Sequence, residues 1–151
     1  MSDAISIRPG RLEDAAVIAD FNIRVARETE GVTLNASVVL SGVSAALTDE
    51  RRGRYFVAES AGEIIGQLLV TREWSDWRDG EIWWIASVYV ATEFRGQGIF
   101  ASLYRHVEAL AREQNAIGVR LYVEKDNQTA CEVYARLGMQ MTHYRVMERM
   151  F

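Results

Sequence analysis

Arg95-Gly96-Gln97-Gly98 stands between an apolar stretch, Val88 to Val90, and a run with helical spacing, Ile99, Leu103, Val107 and Leu110. Two glycines at such a junction leave backbone N–H groups free to point at an anion, and the helix N-terminus behind them adds partial positive charge. Phosphate binding is the chemistry indicated. Further along, Asn127 and Tyr134 are separated by about two helical turns, which sets an amide and a phenol on one helix face. Other chemistries lack their parts. His106 and His143 have no metal-ligand neighbours, and Cys131 is the only cysteine, so neither a metal centre nor a covalent mechanism is indicated.

Alternation in "AISIR", stopped by Pro9-Gly10, predicts a first strand. Apolar residues recur at helical spacing from Leu12 to about Glu28, and a weaker helical segment runs from about Asn35 to Leu47. "RYFVAES" and "EIIGQLLVTREW" read as strands joined by an Ala61-Gly62 turn, and an Asp-Gly signal in "DWRDG" leads into "EIWWIASVYV". These three form an antiparallel meander. After the glycine stretch and its helix, "GVRLYVE" is a buried-type strand whose pairing with "WWIASVYV" is expected to be parallel. "QTACEVYARL" is a helix started by Asn127 and stopped by Gly138, and "MQMTHYRVMERM" alternates as a closing strand. The expected order is β-α-α-β-β-β-α-β-α-β: a mixed α/β fold, mostly antiparallel, with one late βαβ crossover.

The 151 residues are expected to form a single domain, residues 1–151, with a true core. A net charge of −4 excludes the basic footprint of a nucleic-acid or anionic-membrane binder. Phosphate must then be held by local geometry and a few arginines. "MSDAISIRPG" lacks the apolar core of a signal peptide and no apolar run reaches spanning length, so a cytoplasmic location without membrane association is expected.

Three phosphate devices compete for the glycine stretch. The nucleotide-hydrolase loop ends in Gly-Lys-Ser/Thr, whereas this chain has Gly98-Ile99-Phe100. Gly96-Gln97-Gly98-Ile99-Phe100-Ala101 does fit the dinucleotide fingerprint G-x-G-x-x-A, with Glu124 ending the next strand. The motif lies late in the chain and follows a meander, however, where the dinucleotide fold needs alternating βα units. The third device is a coenzyme A loop. Arg95-Gly96-Gln97-Gly98-Ile99-Phe100 resembles the pyrophosphate loop of the GNAT superfamily of acyl-CoA-dependent N-acyltransferases, Arg/Gln-x-x-Gly-x-Gly/Ala, departing from it at Phe100. "RPGRLEDAAVIADF", "VYVATEFRGQG" and "YVEKDNQTACEVYARLGM" resemble that family's first strand and helix, fourth strand and loop, and fifth strand and following helix, in the same order.

The resemblance implies acetyl transfer from acetyl-CoA to a primary amine of a small molecule or peptide, by direct attack in a ternary complex and without a metal. It implies that N–H groups of Arg95, Gly96, Gln97, Gly98, Ile99, Phe100 and Ala101 cradle the pyrophosphate. Main-chain groups of Val88 and Val90 would pair with the pantetheine arm, an N–H near Val90 would face the thioester oxygen, and Asn127 would touch the arm while capping its helix. Tyr134 would protonate the departing thiolate. Glu81 would serve as base, with Glu73 as second choice and a water chain ordered by Ser87 and Tyr89 as the alternative. A non-catalytic acyl-CoA-binding or regulatory module would keep the loop without turnover.

Acceptors in this superfamily lie against the first two helices and the third and fourth strands, which points to Glu28, Trp74, Trp77 and Trp84. "EWSDWRDGEIWW" holds all four tryptophans of the chain. Of Trp83 and Trp84, neighbours on a strand, one must face each side of the sheet. The outward tryptophans suit either an aromatic acceptor pocket or an apolar face for a homodimer. Nearby acidic residues favour an amine over an acidic acceptor.

Overall fold

The computed structural model describes residues 4–151, so the first three residues of the expected domain lie outside the described part. Strand β1 (Ile5–Pro9) leads through a short 3-10 turn, Leu12–Asp14, into helices α1 (Ala15–Glu30) and α2 (Ala36–Thr48). Strands β2 (Arg54–Ser60), β3 (Glu63–Ser75) and β4 (Gly80–Val90) follow as the expected meander. Helix α3 (Ile99–Glu113), strand β5 (Gly118–Leu121) and helix α4 (Gln128–Arg136) come next. The sheet runs β1-β2-β3-β4-β5; all neighbours are antiparallel except β4 and β5, which pair in parallel from Ile82–Gly118 to Ile85–Leu121.

Helices cover both faces. On one, α3 presents Ile99, Leu103, Val107 and Ala111, all buried, to Phe56, Leu68, Trp83 and Ile85 of the sheet. Spacing of four places these residues on one stripe, and each large side chain so buried contributes about 1.5–3 kcal/mol. Gly66 on β3 permits the close approach, since a Cβ there would lie 3.1 Å from Cγ2 of Ile99. The start of α3, and so the glycine stretch before it, is fixed against the sheet. On the other face α1 and α2 pack Ile18, Ala19 and Val43 on Tyr55 and Val57.

The first helix entry is held by charge. Buried Asp14 accepts from both terminal nitrogens of Arg8 (2.8 and 3.2 Å) and from the Arg11 N–H (2.7 Å), while the Arg8 Nε reaches Glu59 at 2.6 Å. The Arg8 hydrogen bonds hold the Asp14 carboxyl below its ordinary range despite its burial. A lowered carboxyl stabilises the fold above its unfolded pKa and ceases to do so as pH falls through the folded value. Asp14→Ala is therefore expected to cost about 3 kcal/mol in urea unfolding at pH 7, because it strands Arg8 as well. The loss should shrink below about pH 4, where the wild type loses the same contribution.

One expected element is absent. "MQMTHYRVMERM" forms no strand: after Met139 the chain joins no ladder, and the expected tenth element is missing. β5 is also shorter than "GVRLYVE" suggests, ending at Leu121. Among the described residues its outer edge has no neighbour, and the alternation after Met139 does not by itself bring that segment into register with it.

Candidate functional site

The site begins with an irregularity in β4. Leu69 faces Ala86 and Gln67 faces Tyr89, so β4 carries one residue more than β3 between these pairs. Ser87 absorbs it with φ of 52°, a bulge conformation. The extra residue reverses the alternation: Trp83 and Ile85 face α3, and beyond the bulge Val88 and Val90 do, while Tyr89 turns to Phe21 of α1 with rings 4.7 Å apart. Gln67, fully buried, pins the bulge by donating Nε2 to the Ser87 carbonyl (3.1 Å) and to Asn22 Oδ1 (2.8 Å). Asn22 in turn donates to the Tyr55 hydroxyl at 3.1 Å. Burial raises the Tyr55 phenol, partly offset by its Asn22 and Ser87 contacts. Gln67 Oε1 is left without a donor, a cost of about 1–3 kcal/mol.

Past Ile85, β4 has no partner on the β5 side, because β5 stops at Leu121. The two strands diverge there as the resemblance implies. A cleft of about 740 Å³ opens into the gap, bounded by α1, α2, the divergent strands and α4. Ser87, Val88, Asn127 and Tyr134 line it, with Asn22 and Tyr55 as a polar floor. Asn127 Oδ1 accepts from Ala130 N at 3.1 Å, so it caps α4 while facing the cleft. Burial, with a smaller push from Cys131, raises the Tyr134 phenol above its ordinary value. It stays protonated at neutral pH.

The glycine stretch lies at the end of β4. Gly96 and Gly98 take φ of 76° and 77°, left-handed values that other residues adopt at a cost. Among the described residues, no backbone N–H from Gly96 to Ala101 donates to an acceptor; the first helical bond of α3 is Ser102 to Gly98 at 3.0 Å. A Cβ on either glycine would meet nothing within 4 Å, so the space over these donors is open. Arg95 bridges the loop to its surroundings. Its Nε donates to the Val90 carbonyl (2.9 Å), its Nη2 to Glu28 (2.8 Å), and its guanidinium lies 5.3 Å from the Tyr89 ring centre. Glu28 thus anchors the loop to α1, a placement that differs from the expected acceptor role.

Phe100, the departure from the resembled pattern, turns away from the loop. Its ring meets Tyr134 edge-on at 5.5 Å and sits 6.3 Å from Tyr104. The side chain that Gly or Ala would lack braces the phenol from α3.

Glu81 is not brought to the cleft. It begins β4, pairs with Trp74, and lies 3.8 Å from Arg72, about 20 Å from the bulge by strand rise. Glu73 is likewise engaged, by Trp84 Nε1 at 2.8 Å. The carboxylates that do line the cleft are Glu30 and Glu124. The tryptophans separate: Trp83 is buried in the core, and Trp84 stacks on Tyr122, a cleft residue, at 4.6 Å. Trp74 and Trp77 are exposed at the far hairpin and line no part of the cleft. Asn22, Tyr55, Gln67 and the two cleft carboxylates escaped sequence reasoning, since only strand register and helix packing bring them together. Among the described residues there is no cluster of side chains suited to a metal ion, and no helix long and apolar enough to cross a membrane.

The fold recurs in known proteins. A possible acetyltransferase from Clostridium difficile 630 is 42% identical, with a TM-score of 0.91 over 97% of each chain. A predicted acetyltransferase from Clostridium acetobutylicum, solved with acetyl-CoA, shares the fold at 18% identity, TM-score 0.79, over 97% of this chain and 96% of that one. An uncharacterised N-acetyltransferase of Mycobacterium bovis is 33% identical over 99 residues, which are 66% of this chain and 60% of that protein. This chain thus spans about 60% of that curated relative. The sequence pattern of one family matches residues 24–139, taking in the loop, the bulge, the cleft strands and α4. By that match the chain belongs to the Acetyltransferase (GNAT) family.

Proposed function

We propose that the protein transfers an acetyl group from acetyl-CoA to a primary amine of a small molecule or peptide by direct attack in a ternary complex. The observation that supports this most is the row of N–H groups without acceptors from Gly96 to Ala101, set at the N-terminus of α3 beside a strand with an unpaired flank. These donors fit a pyrophosphate: they are consecutive, open to solvent and reinforced by the helix dipole. The free flank of β4 beyond Ile85 suits an extended amide-bearing arm, as an added strand would. Acetyl-CoA, when bound, would supply an activated thioester whose carbonyl is open to attack.

In this reading the chain's own residues do four things. The loop donors hold the anionic end. The backbone about Val88, fixed by the Gln67 bond to the bulge, presents an N–H toward the carbonyl oxygen as it gains charge, which favours the transition state. Glu30 and Glu124 draw an ammonium into the cleft and take its proton through water, freeing the lone pair that attacks the carbonyl carbon. As the C–S bond breaks, Tyr134 gives its proton to the thiolate, and the proton still carried by the attacking nitrogen passes through water to the phenolate, which leaves a neutral amide and a restored phenol. Phe100 positions Tyr134. Phe100→Ala is expected to lower kcat about tenfold with little change in acetyl-CoA affinity, and Phe100→Leu to restore most of the loss.

The remote position of Glu81 favours a second reading, a module that binds acyl-CoA without turnover. Thiol release from acetyl-CoA over a panel of amines, amino acids and polyamines separates the two. Acceptor-dependent release with an acetylated product supports transfer; tight coenzyme binding without release from any amine leaves the binding module.

A further inference from the structure

Arg95 stands where the free flank of β4 gives way to the row of loop donors, and its side chain is held from three sides. Ala91 N donates to the Ile65 carbonyl of β3 at 2.8 Å, so strand alternation turns the Val90 N–H and C=O to the opposite, unpaired flank. Arg95 Nε donates to that carbonyl at 2.9 Å, which folds the chain back on itself between Val90 and Arg95. An arm lying along β4 keeps the groups of Val88 and the Val90 N–H, but at the Val90 carbonyl it meets the guanidinium. Arg95 therefore marks where the arm must leave the strand and enter the loop.

Helix α1 keeps the guanidinium in place. Phe21 packs on the Tyr89 ring, the Arg95 guanidinium lies 5.3 Å from the centre of that ring, and Glu28 accepts from Arg95 Nη2 at 2.8 Å. Phe21 and Glu28 are about two helical turns apart, so they act from one face of α1. The segment Gly96-Gln97-Gly98 is thereby strung between two anchors, the Arg95 clamp before it and Ile99, buried against the sheet, after it. Glycine loses the most freedom when ordered, so anchors at both ends matter more here than beside an ordinary turn.

Glu28 exerts two opposed effects on an anion bound at this loop. Its charge offsets that of Arg95 and repels phosphate, but the pair is 44% and 43% exposed, so solvent and salt limit that effect to about twofold in affinity. Its hydrogen bond keeps Arg95 on the Val90 carbonyl and the donor row in order. Freeing even one loop residue, to be ordered again on binding, costs about fivefold or more. Ordering is the larger effect.

Resting on the coenzyme loop proposed above, we infer that Glu28 is a positioning residue for coenzyme A: acting through Arg95, it strengthens the binding of an anion that its own charge opposes. Charge alone predicts tighter binding when Glu28 is removed, and positioning predicts weaker binding.

Calorimetric titration of the full chain with coenzyme A reads the sign. Glu28→Ala is expected to weaken binding about fivefold, and Glu28→Gln, which keeps an acceptor oxygen for Nη2, to stay within about twofold of wild type. In an Arg95→Ala background, Glu28→Ala should cause no further weakening, because the group it holds is gone. Both Glu28 variants should melt within about 3 °C of wild type, as suits an exposed pair. Tighter or unchanged binding by Glu28→Ala, an equal loss in the Arg95→Ala background, or a much larger fall in melting temperature would each overturn the positioning role. A wild-type chain that does not bind coenzyme A would overturn the coenzyme loop itself, and this role with it.

Discussion

Gly98→Val is expected to weaken acetyl-CoA binding by about 100-fold or more while the protein stays folded. Two effects must be told apart. A β-branched side chain at φ of 77° is strained, at a cost of about 1–2 kcal/mol in stability. It also stands in the open space over the loop, where nothing lies within 4 Å of a Cβ, and so displaces a phosphate from the N–H donors. Each hydrogen bond to a charged group contributes about 1.5–3 kcal/mol, so losing one or two of them reaches 100-fold. Gly62 supplies the control. It too has a positive φ, 78°, with open space around it, but it turns the β2–β3 hairpin. Gly62→Val should lower stability by a similar amount and leave acetyl-CoA affinity unchanged. Equal losses of affinity in the two variants would mean that strain, and not loop occupancy, is what calorimetry reads.

Tyr134→Phe is expected to lower kcat by about 100-fold, at the lower end of general-acid effects, with acetyl-CoA affinity within about twofold of wild type. The size is held down by the leaving group: a thiol with a pKa of about 8.5 departs more readily than an alkoxide, so the acid assists rather than enables. The sign of the pH dependence follows from the raised phenol. A donor must be protonated, and one whose pKa lies above its ordinary value of 10 remains so across the neutral range. The acid's contribution is therefore present at low and neutral pH and lost only as pH rises through that raised value. The wild-type rate should show this high-pH limb and the variant should lack it. A variant with unchanged kcat would make Tyr134 a packing residue between Phe100 and the cleft.

What could be read in the sequence was whatever is local. The Ala61-Gly62 and Asp79-Gly80 turns, the alternation of β2 to β4 and the helical stripe of α3 are set by neighbours in the chain, and they appear as expected. The glycine loop was legible for the same reason. The role of Phe100 was not, because its reason is a ring on α4 that only the fold brings within reach. Glu81 illustrates the opposite failure. Its strand reaches the cleft, but its residue sits at the wrong end, and a strand eleven residues long separates its two ends widely. Asn22, Tyr55 and Gln67 come from three elements and meet only in the fold, where Asn22 bonds both of the others and Gln67 also bonds the bulge at Ser87. The alternation after Met139 has a strand's pattern, but the segment pairs with no edge, although that of β5 is free among the described residues.

The N–H groups from Gly96 to Ala101 are expected to receive the coenzyme's phosphates. Titration of the isotopically labelled protein with coenzyme A, followed by backbone amide resonances, reads those groups one by one. The largest shifts should fall on Gly96 to Ala101, with a second set about Val88 and Asn127, and they should vanish in Gly98→Val but persist in Gly62→Val. Binding that shifts other amides and leaves the six loop amides unmoved would contradict it.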